Sequence, residues 1–152
     1  MKIDIKLMPT VKDFMTKDVV TIQSSKTILE AAELMSSKEV GDLVVTEGEK
    51  PIGIITERDF VRRVVAKGHR LDAKVSEIMT KPLIVIDQDS SLKEAARIML
   101  SKKIRRLPVI KDNKLIGIIT ATDFATHLSR RTLTDEVLEI LGHNPFPDVF
   151  PQ

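Results

Sequence analysis

The sequence predicts an α/β (α+β) fold built from two β-α-β-β-α units related by pseudo-two-fold symmetry. Three observations point to it. Residues 75–124 align under residues 11–60 with no gap, and 21 of the 50 positions are identical. An unrelated pair of this composition would match at roughly three of fifty. Each copy holds one segment with apolar residues at helical spacing, and each holds two strand-like runs joined by a short polar turn. A unit this short buries too little surface to be stable alone, so two copies imply a pseudo-symmetric pair with a groove and two related sites.

Each copy opens on Val-x-x-(Phe/Ile)-Met-Thr-Lys, at Val11 to Lys17 and Val75 to Lys81. Short strands are expected over Val19–Ile22 and Leu83–Ile86. A helix then opens on a capping box, Thr27-x-x-Glu30 or Ser91-x-x-Glu94, in which hydroxyl and carboxylate satisfy each other's backbone N–H. Ile28, Ala31, Ala32 and Met35 match Leu92, Ala95, Ala96 and Met99 on its apolar face. The hairpins follow, Leu43–Val45 with Pro51–Thr56 and Leu107–Ile110 with Leu115–Thr120. Second helices are expected to begin near Asp59 and Asp123, with Phe60, Val61, Val64 and Val65 as the apolar side of the first. Gly68 ends that helix. The boundaries read as a lead-in at 1–10, a first unit at 11–68, a linker at 69–74, a second unit at 75–131 and a tail at 132–152. Within the tail, 132–141 looks helical, while His143–Pro151 has too many prolines for a helix.

Composition narrows the function. Apolar residues make up 42% of the chain, so a packed core is feasible, filled by Ile, Val and Leu because there are five Phe and no Trp or Tyr. The 24 basic and 22 acidic residues nearly cancel at +2, which argues against wholesale nucleic-acid binding. Cysteine is absent, excluding disulfides, thiolate metal sites and cysteine nucleophiles. No apolar run reaches the length of a membrane span, and the start does not read as a secretory signal, so a cytoplasmic protein is the default.

Nothing reads as a catalytic centre. His69, His127 and His143 are far apart and outside the repeated motifs. No phosphate-binding glycine loop is present, and no nucleophile is paired with a base. The sharp feature is Thr56-x-x-Asp59 and its twin Thr120-x-x-Asp123. One reading is structural: Asp caps a helix and Thr satisfies its own turn. The other is functional: the carboxylate accepts both hydroxyls of a ribose, while the Thr hydroxyl and the helix N-terminus face a phosphate. Arg62, Arg63, His69 and Arg70 either line the phosphate end of a site or form a wet helix face, the latter being the favoured reading.

With its Met-Thr segments, Glu-Ala-Ala helices, Leu-Pro-Val-Ile run and two Gly-Ile-Ile-Thr-x-x-Asp-Phe motifs, the chain resembles a tandem CBS-domain pair, or Bateman module, over nearly all of residues 11–131. The resemblance implies a free-standing regulatory module, not an enzyme, that senses adenine nucleotides in the cleft between two CBS units. It implies AMP or ATP as ligand, no required cofactor, a homodimer and an unknown downstream protein partner. It also implies shared sites. Site one would combine Thr16, Val20, Gly41, Asp42 and Leu43 with Thr120 and Asp123. Site two would combine Thr80, Ile84, Ile104, Arg105, Arg106 and Leu107 with Thr56, Arg58 and Asp59. Because Gly41-Asp42 stands where the other copy has Arg105-Arg106, site two is expected to prefer a phosphorylated nucleotide. Site one would be empty, weaker, or suited to an adenosyl compound such as S-adenosylmethionine. The alternatives are a structural dimer with vestigial sites and, with less support, a nucleic-acid binder using Lys102-Lys103 and Arg105-Arg106.

Overall fold

The computed structural model describes residues 9–128. The segment 1–8, the expected helix at 132–141 and the proline- and phenylalanine-containing tail lie outside the described residues. The chain forms two compact units.

One unit comprises Asp18–Ile84 with Asn113–Leu115. Its elements are β1 (Thr21–Gln23), α2 (Ile28–Lys38), β2 (Asp42–Glu47), β3 (Lys50–Thr56) and α3 (Glu57–Asp59), which runs on as a π-helical segment (Phe60–Val65). The label α1 belongs to the short helix Val11–Phe14 of the other unit. The sheet order is β1-β2-β3. β1 runs parallel to β2, with Thr21 opposite Val44, and β2 and β3 form an antiparallel hairpin with Leu43 opposite Ile55. Gly48 turns that hairpin at φ +63°, a conformation that costs glycine little. The core gathers Ile22, Ile28, Ala31, Met35, Leu43, Val45, Ile55 and Val64 with Val75, Ile78 and Met79.

The other unit, described over residues 9–17, 85–112 and 116–128, repeats the plan. It contains α1, β4 (Ile86–Asp87), α4 (Leu92–Lys102), β5 (Arg106–Lys111), β6 (Lys114–Thr120) and α5 (Ala121–Leu128), with the tip of the β5–β6 hairpin assigned to the first unit. Sheet order is β4-β5-β6. Buried residues at matching positions include Leu92, Ala95, Met99, Leu107, Val109 and Ile119. Asp112 and Asn113 both take positive φ, 50° and 65°, as a two-residue hairpin loop with primed-turn geometry requires.

The compact units are offset from the repeat. The Met-Thr segment that opens each sequence copy packs on the sheet of the other copy. Thr16 pairs with Ile118 of β6, its N–H donating to the Ile118 carbonyl at 2.8 Å and its carbonyl accepting at 2.9 Å. Thr80 and Ile54 of β3 exchange the same two bonds at 2.8 and 3.2 Å. Glycine is needed opposite each bridge. A Cβ on Gly53 would lie 2.5 Å from Met79 Sδ and 3.1 Å from the Thr80 carbonyl. On Gly117 it would lie 2.5 Å from Met15 Sδ and 2.9 Å from the Thr16 carbonyl. The co-occurrence of Met-Thr and Gly-Ile-Ile-Thr in each repeat thus has a packing cause.

Several expectations are corrected. The first strands sit later than Val19–Ile22 and Leu83–Ile86, because the ladders begin only at Thr21 and Ile86. The second helices begin at Glu57 and Ala121, two residues before Asp59 and Asp123, because Thr56 and Thr120 are the capping residues. Phe60, Val61, Val64 and Val65 do not form one buried face: Val64 is buried, whereas Val61 and Val65 are 62% and 76% exposed. The run is π-helical, with Ala66 N–H bonded five residues back to Val61, so α-helical spacing misjudges which side chains share a face.

Helices α2 and α4 end alike. Glu39 and Lys103 take left-handed backbone at φ 54° and 55°, and the next N–H groups, of Val40 and Ile104, close on Met35 and Met99. Glycine usually occupies that place. Two outcomes are expected in urea denaturation. Gly53→Ala or Gly117→Ala lowers stability by about 1–3 kcal/mol through overpacking against backbone. Lys103→Gly raises it by about 0.5–1 kcal/mol by relieving a left-handed non-glycine residue.

Candidate functional site

The Thr-x-x-Asp motifs fold as reciprocal capping boxes. Thr56 is the N-cap of α3, and its hydroxyl accepts from the Asp59 N–H at 3.3 Å. Asp59 Oδ2 in turn accepts from the Thr56 N–H at 2.9 Å and from its hydroxyl at 3.2 Å. In the other unit Asp123 Oδ2 accepts from the Thr120 N–H at 2.8 Å and its hydroxyl at 3.2 Å. The Asp123 N–H donates to the Thr120 hydroxyl at 3.2 Å. The expected roles are therefore corrected: Thr caps, and Asp reaches back to the cap N–H.

Capping alone does not single out a site. Thr10 and Asp13 make the carboxylate half of the same box before α1, with Asp13 Oδ2 accepting from the Thr10 N–H at 3.1 Å, and Asp13 is exposed. Asp59 differs in being only 6% exposed. Its second oxygen, Oδ1, accepts from the Thr80 hydroxyl at 3.3 Å and faces Arg63 Nε at 3.4 Å. A nearly buried carboxylate is stable only with such partners. Asp59 presents one oxygen held by its own turn and one reached by a hydroxyl and a cation, a donor-rich arrangement suited to exchange with other hydroxyl donors.

The structure places the expected residues by unit. Val20, Gly41, Asp42, Leu43, Thr56, Arg58, Asp59, Thr80 and Ile84 belong to the β1–β3 unit. Thr16, Ile104, Arg105, Arg106, Leu107, Thr120 and Asp123 belong to the β4–β6 unit. Within the first, Thr56, Asp59 and Thr80 meet directly, and Gly41 is latched to them by its carbonyl, which accepts from Glu57 N–H at 3.1 Å. Asp42 stands opposite Thr56 in the hairpin. Within the second, the Arg105 carbonyl accepts from Ala121 N–H at 2.9 Å beside Thr120 and Asp123. Arg105 and Arg106 are half-buried, and Arg58 is exposed. Leu43 and Leu107 are fully buried, so a ligand would meet their backbone rather than their side chains. The first and third N–H groups of α3 are both taken by the chain itself, which leaves its terminus little capacity for a phosphate.

Arg63 does more than the expected wet face requires: it is solvent-exposed, yet Nη1 donates to the carbonyls of Ile78 and Met79 at 3.2 and 3.1 Å, and Nε faces Asp59. The i,i+4 spacing from Asp59 was the available signal. Arg70 is engaged too, with Nε and Nη2 on the Asp72 carboxylate at 2.9 and 2.8 Å, which holds that exposed carboxyl below its ordinary range. A groove of about 660 Å³ lies on the same unit, lined by Ala32, Met35, Val40, Gly41, Phe60 and Val61 among others. Among the described residues no cluster of His, Cys, Asp or Glu could hold a metal ion.

Comparison with known proteins agrees with this architecture. The family profile described as CBS domain matches residues 11–66 and 75–130. An uncharacterized protein of Methanopyrus kandleri is 44% identical over 110 residues, 70% of this chain and 56% of the relative, so the chain spans little more than half of that protein. The CBS domain-containing protein YhcV of Bacillus subtilis is 35% identical over 136 residues, 90% of this chain and 97% of the relative. The CBS domain pair of protein MJ0100, solved with 5-methylthioadenosine and S-adenosyl-L-methionine, superposes with a TM-score of 0.72 at 28% identity, covering 82% of this chain and 98% of that one.

The difference between the capping boxes is measurable. Asp59→Ala strands the Thr80 hydroxyl, the Thr56 N–H and Arg63, and is expected to cost about 2–3 kcal/mol of unfolding free energy. Asp13→Ala, in an exposed box, is expected to cost at most about 1 kcal/mol. Equal losses in urea titrations would show that burial of Asp59 has no energetic weight.

Proposed function

Since the chain belongs to the CBS-domain family, as a tandem pair, we propose that it is a regulatory module that binds an adenine nucleotide of the AMP, ADP or ATP class and performs no chemistry. The observation that carries this reading is Asp59, a nearly buried carboxylate whose Oδ1 already accepts a hydroxyl from Thr80. Ribose presents two hydroxyls with the same donor chemistry, so a nucleotide can replace or join that bond without leaving the carboxylate unpaired. Asp123 repeats the motif in the second unit.

In this proposal Thr56, Arg58, Asp59, Thr80 and Ile84 act with Ile104, Arg105, Arg106 and Leu107 at one site. Thr16, Val20, Gly41, Asp42 and Leu43 act with Thr120 and Asp123 at the other. Phosphate recognition falls to arginine side chains, since the α3 N–H groups are largely used, and planar guanidinium forks suit phosphate oxygens. Adenine is held by apolar side chains and strand backbone. Binding would bias two arrangements of the module, with coupling limited to the ligand's differential affinity for them. The protein acts as a homodimer in the cytoplasm. The exposed Val61, Val65 and Leu29, beside the groove between α2 and the π-helical segment, support a self-association surface. No helix among the described residues is long and apolar enough to cross a membrane.

A second reading, an S-adenosylmethionine-type ligand, is favoured by the adenosyl compounds in the MJ0100 structure and by the extra carboxylate Asp42 in the Asp123 grouping. Thermal denaturation with AMP, ADP, ATP, S-adenosylmethionine and an oligonucleotide separates the readings, because only a ligand of the folded state raises the melting temperature. The nucleotides are expected to raise it, and the oligonucleotide to leave it unchanged. In titrations with AMP and ATP, Asp59→Ala and Arg106→Ala are each expected to weaken binding by roughly ten-fold or more, the size of a lost charge-assisted bond. Unchanged affinity in both variants would sink the Asp59–Arg106 assignment.

A further inference from the structure

We infer that Arg63 is a positioning residue for Asp59, orienting the carboxylate for ribose. The inference rests on the ribose reading of Asp59 given above.

The geometry is specific. One guanidinium reaches two things at once. Its Nε lies 3.4 Å from Asp59 Oδ1, and its Nη1 donates to the carbonyls of Ile78 and Met79 at 3.2 and 3.1 Å. Those peptides immediately precede Thr80, whose hydroxyl donates to the same Oδ1 at 3.3 Å. Arg63 therefore holds both the acceptor and the segment that delivers its neighbouring donor. Oδ2 is fixed independently by Thr56, so Arg63 governs the oxygen that is not committed to the helix cap. A planar fork is needed for this, because Nε and Nη1 point in fixed and different directions; a lysine offers one compact ammonium. The side chain is about half exposed, at 49%, while that of Asp59 is at 8%, so the arginine covers a carboxylate that is otherwise sealed in.

The second copy lacks the device in its sequence. The repeat offset of 64 residues (75 minus 11) puts His127 at the position of Arg63. Asp123 is half-buried where Asp59 is buried. The two Thr-x-x-Asp motifs are identical, and the residue four places on is where their sequences differ in the groups able to reach the carboxylate.

The test uses the full chain and calorimetric titration with ATP and 2′,3′-dideoxy-ATP, which lacks the ribose hydroxyls. Arg63→Met is expected to weaken ATP by about ten-fold, the loss of one charge-assisted contact, while leaving 2′,3′-dideoxy-ATP nearly unchanged. Arg63→Lys, which keeps the charge and protects against a failure to fold, is expected to give the same selective loss. In the Asp59→Asn background, Arg63→Met should add little, since the two act through one contact. A fall in both ligands by the same factor, or in neither, overturns the positioning role; the former would mark Arg63 as a phosphate or purely structural contact. Failure of the ribose reading looks different: the wild-type chain would bind both ligands equally, or Asp59→Asn would leave ATP affinity intact, whatever Arg63 does. A wild-type chain that binds no ATP overturns both.

Discussion

Much of each unit depends on one close approach, the Met-Thr segment laid against a glycine on the sheet. At Gly53 and Gly117 a single added carbon would meet methionine sulfur at 2.5 Å and a threonine carbonyl at 3.1 or 2.9 Å. The antiparallel bridges Ile54–Thr80 and Thr16–Ile118 exist because nothing stands between the backbones. Once the bridge forms, Met79 enters the core with Ile78 and Val75, and Thr80 arrives within hydrogen-bond distance of Asp59. Core packing and the candidate site are therefore consequences of the same contact. Dense interiors couple such features, because a shift at the glycine has no void to absorb it.

The Thr-x-x-Asp motif caps a helix and, at Asp59, also holds a nearly buried carboxylate. As a capping box it satisfies the cap N–H and the third helical N–H of α3, groups that would otherwise lack partners. As a carboxylate under cover of the Met-Thr segment it concentrates acceptor capacity where little water competes. The two roles use different oxygens of Asp59: Oδ2 for the cap and Oδ1 for Thr80 and Arg63. Thr10 and Asp13 show the cap without the cover, which is why the motif by itself says little about binding.

Duplication preserved the frame and let the polar residues diverge. Matching apolar positions such as Ile28 and Leu92, Ala31 and Ala95, and Met35 and Met99 are buried alike, because each must fill the same space between helix and sheet. Gly41-Asp42 stands against Arg105-Arg106, and Arg63 against His127, while the Gly41 and Arg105 carbonyls accept alike from the first N–H of the helix that follows. The units are alike as scaffolds and differ in the polar residues they carry.

By itself the sequence determined the duplication, the helix caps at Thr27 and Ser91, the hairpins and the core face of α2 and α4. Each follows from local spacing, since backbone hydrogen bonding and side-chain direction repeat with fixed periods. It also singled out Thr56, Asp59, Thr120 and Asp123 as residues worth weighing, although it assigned the cap to the wrong member of each pair. Only the tertiary structure decided that the Met-Thr segment of one copy completes the sheet of the other, that Val61 and Val65 are exposed, and that Arg63 is bound to Asp59 and to the carbonyls before Thr80. Those outcomes depend on which distant backbone lies against a given face. Contacts between residues fifteen to a hundred positions apart leave no periodic trace, and a widened helical turn moves side chains off the faces that regular spacing predicts.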